Sequence, residues 1–401
     1  MIQVASFMLG GVALGGDSAR YIESGVAFFE GGELNSRAAP YLTYIFLVGL
    51  SDWMGAGLTG VVILQLIAAA AALWFVFDLG RSVGGEWVGF WAALPVATFL
   101  DFTQLHLYIL TDSLSASLTV FSVWLLYQCL TKRGWWIYPV LLPTLAAGAL
   151  LRPNGWLVML LAIIVIAIII SSKWIVRSLI AAGGVIALLL VIPLTPSFSV
   201  SLDAESPASQ VLEGRVIWGA EQTYKDMPAV DLSAPGYSGV LEYAITHPAA
   251  YFGLMARRVG WELVGARPHF SAKHNAYIAL YLVPVYFFAF IGLMRYWRYP
   301  AILLSISTFA LHMGLVAITF ADWSGRFLTY AFPLLCVCFG AGVSLLGKIK
   351  PEIWPTAKGL HRNWLRFERK RSHPHAGLSE AEALEIAENE VSKARQARRT
   401  P

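Results

Sequence analysis

Apolar runs of about 17 to 22 residues recur along this chain, and few folds can accommodate them. At about 1.5 Å per residue, such a run crosses the roughly 30 Å of bilayer hydrocarbon as a helix. Inside hydrocarbon every backbone N–H and C=O needs an internal partner, so these runs are helices rather than open sheet. They also lack the alternating polarity of outer-membrane barrel strands. With 57% hydrophobic and only 13% charged residues among 401, the chain reads as an all-α polytopic membrane protein.

Spans are expected at 58–78, 86–102, 113–130, 135–151, 155–171, 178–196, 275–294, 300–320 and 327–346. A first segment, Met1 to Gly16, reaches only about 24 Å and is kept as a short first helix, for a total of about ten. Residues 17–57 form a loop whose apolar run, Tyr41–Leu50, is too short to cross and is expected at the interface. In the long loop 197–274, Pro248–Val264 reads as a juxtamembrane helix, since proline suits a first helical turn.

Charge sets the orientation. One series of loops holds Arg81, Lys132 and Arg133, Lys173 and Arg177, Arg295 and Arg298, then a tail after Leu346 with twelve Lys and Arg against seven Glu. Positive charge in short loops marks the cytoplasm, so the alternate loops face outside. The expected organisation is a transmembrane catalytic domain, 1–346, with outer loops 17–57 and 197–274. A basic cytoplasmic tail, 347–401, follows and carries a C-terminal helix. Cys129, Cys336 and Cys338 lie in apolar helices and read as packing residues.

The polar residues worth testing for chemistry gather on the outer side. Asp17, Arg20, Tyr21 and Glu23 follow the first segment, with Glu33 further along the same loop. Asp112 opens a helix, Arg152 joins two helices, and Arg326 starts the last. Any of them could be a cap or a snorkelling anchor, and Asp112 is well placed as an N-cap. Two carboxylates and two arginines at one depth also suit chemistry at a phosphate. Arginine matches phosphate oxygens, and a carboxylate can take a hydroxyl proton as a bond to sugar C1 breaks.

The order of short motifs resembles the GT-C glycosyltransferases, the polyprenol-phosphate-sugar-dependent family that includes protein O-mannosyltransferases and the aminoarabinose transferases of lipid A. Asp17 followed by Arg20-Tyr21 resembles their first outer loop, and Pro40-Tyr41-Leu42-Thr43-Tyr44 resembles its end. Thr111-Asp112-Ser113-Leu114 is similar to a second acidic position, and Leu151-Arg152-Pro153-Asn154-Gly155 to an Arg-Pro-X-Gly junction. Thr246-His247-Pro248-Ala249-Ala250-Tyr251, then Arg257-Arg258, resembles a surface helix of bacterial members. Gly325-Arg326-Phe327 with Pro333 is similar to their late helix start.

The resemblance implies an inverting transfer of a sugar from a polyprenyl phosphate to a lipid, glycan or protein acceptor. The site would face the periplasm or exterior of the inner (plasma) membrane, as part of the cell envelope. Asp17 would be the general base, and Asp112 would orient the acceptor or hold a divalent metal with Asp17. Arg152 and Arg326 would bind the donor phosphate, with added contacts from Lys273 and His274. The family often has two adjacent acids where this chain has Asp17-Ser18, which leaves the second acid among Glu23, Glu33 and Asp112.

Two other classes of membrane protein share this helical composition. A lipid transporter or flippase would carry broken helices and polar residues at the midplane, whereas these spans carry no charge at their centres. A polysaccharide polymerase or ligase would share the outer arginines but not the acid after the first segment.

Overall fold

The computed structural model describes residues 7–8, 10–33, 38–131, 134, 136–170, 178, 182, 211, 213–217, 227–228 and 237–346. All lie in the first of two compact units, 1–352. The expected span 178–196, the Lys132-Arg133 loop, Lys173, Arg177 and the tail helix fall wholly or mainly outside the described residues.

The described residues are helical, with two isolated backbone bridges and no strand. Two short helices, α1 (Ser18–Phe29) and α2 (Leu42–Trp53), precede the long α3 (Gly57–Gly84). Then come α4 (Glu86–Thr98), α5 (Leu100–Gln104), α6 (Thr111–Thr131), α7 (Ile137–Leu151) and α8 (Trp156–Ile170). After the long loop follow α9 (Tyr237–Thr246), α10 (Pro248–Val264), α11 (Ala272–Tyr296), α12 (Pro300–Ile318), α13 (Arg326–Thr329) and α14 (Phe332–Val343).

By length and composition α3, α6, α11 and α12 are four helices able to cross a membrane, or five with the bent pair of α4 and the segment to Leu107. The expected count of about ten is not reached among the described residues. The 15-residue α7 and α8 and the 12-residue α14 are apolar but short.

Two expectations change in detail. The first segment does not continue as helix to Gly16, because Ala13 instead pairs with the chain at Leu107 and Ile109. The run 86–102 is also not straight, turning by 66° at Phe99, whose extended backbone ends α4 one turn after Pro95.

Core side chains from α3, α4, α6, α11, α12 and α14 form one apolar cluster. Lipid is as apolar as leucine, so close packing rather than water exclusion holds such helices together. Small residues supply that closeness. A Cβ on Gly342 would collide with the Phe288 carbonyl, so α14 lies directly on α11 through glycine.

Candidate functional site

The position of Asp17 is fixed by a chain of buried polar contacts. Gln65, buried on α3, donates through Nε2 to the carbonyls of His106 and Tyr108, each at 2.9 Å. Its Oε1 accepts from the Tyr44 hydroxyl at 3.0 Å. The segment thus pinned receives Ala13 in the backbone bridge, and the Ser18 hydroxyl donates to the Ile109 carbonyl at 2.8 Å. Asp17 sits between these ties at the start of α1, with its carboxylate 2.9 Å from Arg20 and 45% exposed. The Arg20 guanidinium lies over the rings of Tyr21 and Tyr41. Burial pushes the Tyr21 phenol up to about 12, so it stays protonated at neutral pH.

Asp112 has the opposite setting. Only 1% exposed, it accepts a hydrogen bond from Tyr330 at 2.5 Å on one oxygen. The other oxygen faces Arg152 at 3.5 Å and Arg326 at 3.9 Å. Arg152 also donates to the Thr111 hydroxyl at 3.0 Å and lies over the Tyr330 ring. Burial alone would lower the Arg152 pKa, yet Tyr330 and Asp112 reverse that, and it is held above its ordinary value. The structure therefore brings Asp112, Arg152 and Arg326 together, in a buried cluster rather than an open one.

Arg326 belongs to two environments. Besides Asp112 it pairs with Asp322 at 3.2 Å and also lines a cavity of about 590 Å³. Asp322 accepts from Ser324 and from the Arg326 backbone, which shapes the turn 322–326. Burial works to raise the Asp322 pKa, but Arg326 and these hydrogen bonds outweigh it and the net shift is downward. Gly325 completes the turn at φ 75°, in the left-handed region, and a Cβ there would sit 3.2 Å from Arg267.

A buried pair on and beside α10 holds this turn. Glu262 accepts from the backbone N–H of Asp322 at 2.9 Å and of Leu328 at 2.7 Å. Arg267, 3.7 Å from Glu262, donates to the carbonyls of Trp323 and Asp322. Burial raises the Glu262 carboxyl to about 7, with Arg267 and the two N–H groups offsetting only part of it. From α12, His312 donates to the Phe327 carbonyl at 2.7 Å. The segment presenting Arg326 is clamped from both sides.

The cavity collects Asp17, Asp101, His274 and Arg326 with Ser324, and its apolar wall includes Phe99, Ile278, Leu282 and Phe332. Lys273 is exposed and lies instead on a separate shallow groove with Tyr277, Leu280 and Tyr281. Glu23 and Glu33 are exposed and line neither. Sequence reasoning missed Asp101, Tyr330, Glu262 and Arg267. A signal existed for Asp101, a carboxylate at the end of an apolar run, since ionisable groups in such runs tend to be functional.

Asp17 and Asp112, the pair expected to share a metal, each face cations instead. Asp112 already meets a phenol and two guanidiniums, and Asp17 meets Arg20. Among the described residues no group of three or more His, Cys, Asp and Glu is arranged to hold an ion.

Residues 39–196 match the family model for dolichyl-phosphate-mannose-protein mannosyltransferase. The match supports a GT-C superfamily glycosyltransferase dependent on a polyprenyl-phosphate sugar. It spans α2 to α8, the part of the chain that carries Asp101, Asp112 and Arg152. Comparisons with curated proteins and with solved structures found no match.

Proposed function

We propose that the chain is a membrane glycosyltransferase of the GT-C type that moves a sugar, with inversion at C1, from a polyprenyl phosphate to an acceptor hydroxyl at the outer face of the inner membrane. The observation that carries this reading is the cavity in which Asp17 and Arg326 share a wall with apolar side chains. A lipid phosphate needs that combination, a fixed cation beside hydrocarbon-compatible surface.

In this reading the acceptor oxygen attacks C1 while the bond from C1 to the phosphate oxygen breaks, and that oxygen keeps the electron pair. Asp17 takes the acceptor's proton, and being half-exposed on the cavity wall it can be reached. Arg326 meets the charge that develops on the phosphate. Asp112 holds the Arg326 side chain in place, and Arg152 adds positive potential. The outer-face assignment rests on Arg295, some 30 Å along α11 from His274 on the cavity wall, together with the positive-inside rule. The acceptor is a lipid, glycan or protein of the cell envelope.

The test uses reconstituted membranes supplied with labelled polyprenyl-phosphate sugar. Arg326→Ala should raise the donor requirement about tenfold or more, as loss of a charged hydrogen bond does. An unchanged requirement removes Arg326 from the phosphate site.

A further inference from the structure

The sealed state of Asp112 leaves the cavity one acid beyond Asp17, namely Asp101. Its two carboxylate oxygens lie 2.9 and 3.0 Å from Nε2 of His274. The pair joins α5 to the first turn of α11, elements far apart in sequence. It is not sealed, with Asp101 29% and His274 36% exposed, and both line the cavity.

Three features show that this placement is built. The 66° bend at Phe99 carries Asp101 off the line of α4 and onto the cavity wall, a setting in which a membrane tolerates irregular backbone. The Ser271 hydroxyl caps α11 by accepting from the His274 N–H at 3.2 Å. Phe270 stacks on the imidazole at 4.4 Å between centroids and fixes the plane of the ring. In the neutral ring with Nε2–H directed at Asp101, Nδ1 is left as an acceptor, and the carboxylate keeps lone pairs for further donors. Acceptors held in place beside an aromatic ring suit the hydroxyls of a sugar.

We propose that Asp101 and His274 form a hydroxyl-binding subsite that receives the sugar of the lipid-linked donor, next to the phosphate position at Arg326. This rests on the phosphate reading above, because the sugar hangs from that phosphate and must share its cavity. The subsite selects the glycosylated donor over the spent carrier lipid. It thereby favours release of polyprenyl phosphate after transfer.

The test is equilibrium binding to the full-length protein in nanodiscs, with decaprenyl phosphate, decaprenyl-phosphate mannose and decaprenyl-phosphate arabinose as probes. Wild type should bind at least one glycosylated probe more tightly than the bare phosphate. Asp101→Asn and His274→Gln should each erase about tenfold of that margin while leaving decaprenyl phosphate within about twofold of wild type. If the variants lose affinity for all three probes alike, the pair is only a tether between α5 and α11. If wild type shows no margin, or the variants keep it, the subsite is absent. Arg326→Ala separates the two readings, since it should weaken all three probes. Its failure to do so overturns the phosphate site while the sugar margin is still read.

Discussion

Two groupings of carboxylates and cations meet at Arg326, and they differ in one respect. Around Asp112 every charge faces a partner inside the protein, and the carboxylate is 1% exposed. Around Asp17 and Asp101 each carboxylate has one partner and an open side on the cavity. A buried, charge-paired cluster breaks at high cost when one member is removed. An open pair has lone pairs left for a substrate. In the proposed function the first grouping holds the molecule together and the second meets the donor, with Arg326 in both.

The comparison can be broken most sharply at Asp112. Asp112→Ala leaves two guanidiniums and a phenol facing an empty carboxylate position. It should destabilise the protein by roughly 3–5 kcal/mol, read as thermal unfolding in detergent. A variant that unfolds like wild type would remove the structural role assigned to the cluster.

Gly325→Ala tests the turn that lets Arg326 serve both groupings. Forcing an alanine to φ 75° should cost about 1–2 kcal/mol. It should also weaken binding of decaprenyl phosphate, because the turn carries Arg326. Unchanged stability and binding would mean that the turn relaxes without consequence.

The smallest effect is expected at Glu262, where the sign is informative. Its folded pKa is raised to about 7 from an ordinary 4.5, so the folded protein keeps a proton that the unfolded chain has released. That contribution to stability is full below about pH 4.5 and is lost as pH rises through about 7. Asp322, shifted downward, acts in the opposite direction, with its contribution lost as pH falls. Measured against Glu262→Gln, the wild-type melting temperature should therefore drop between about pH 5 and about pH 8. A difference independent of pH would mean that Glu262 holds the 322–328 segment without changing its charge.

Much of the helical frame was readable because apolar length is a strong signal. α3, α6, α11 and α12 fall within a few residues of the expected spans, and α10 has the expected bounds. The bend at Phe99 was hidden, since the residues on both sides of it are apolar and only Pro95 hinted at it. The first segment was misread past Gly11 because apolar residues there pair with 107–109, a long-range contact that no local pattern encodes. At the site, the sequence indicated Asp17, Asp112, Arg152 and Arg326 but not how each is partnered. Arg258 shows the same limit. Expected on a surface helix, it is buried and donates to the carbonyls of Arg215 and Ala317.

The claim that transfer takes place in the open cavity is tested most directly by Asp17→Asn, with unfolding temperature and sugar transfer measured on the same preparation. The expected result is wild-type unfolding with transfer reduced by about 10²–10⁴-fold. A variant that folds and transfers as well as wild type would contradict the account.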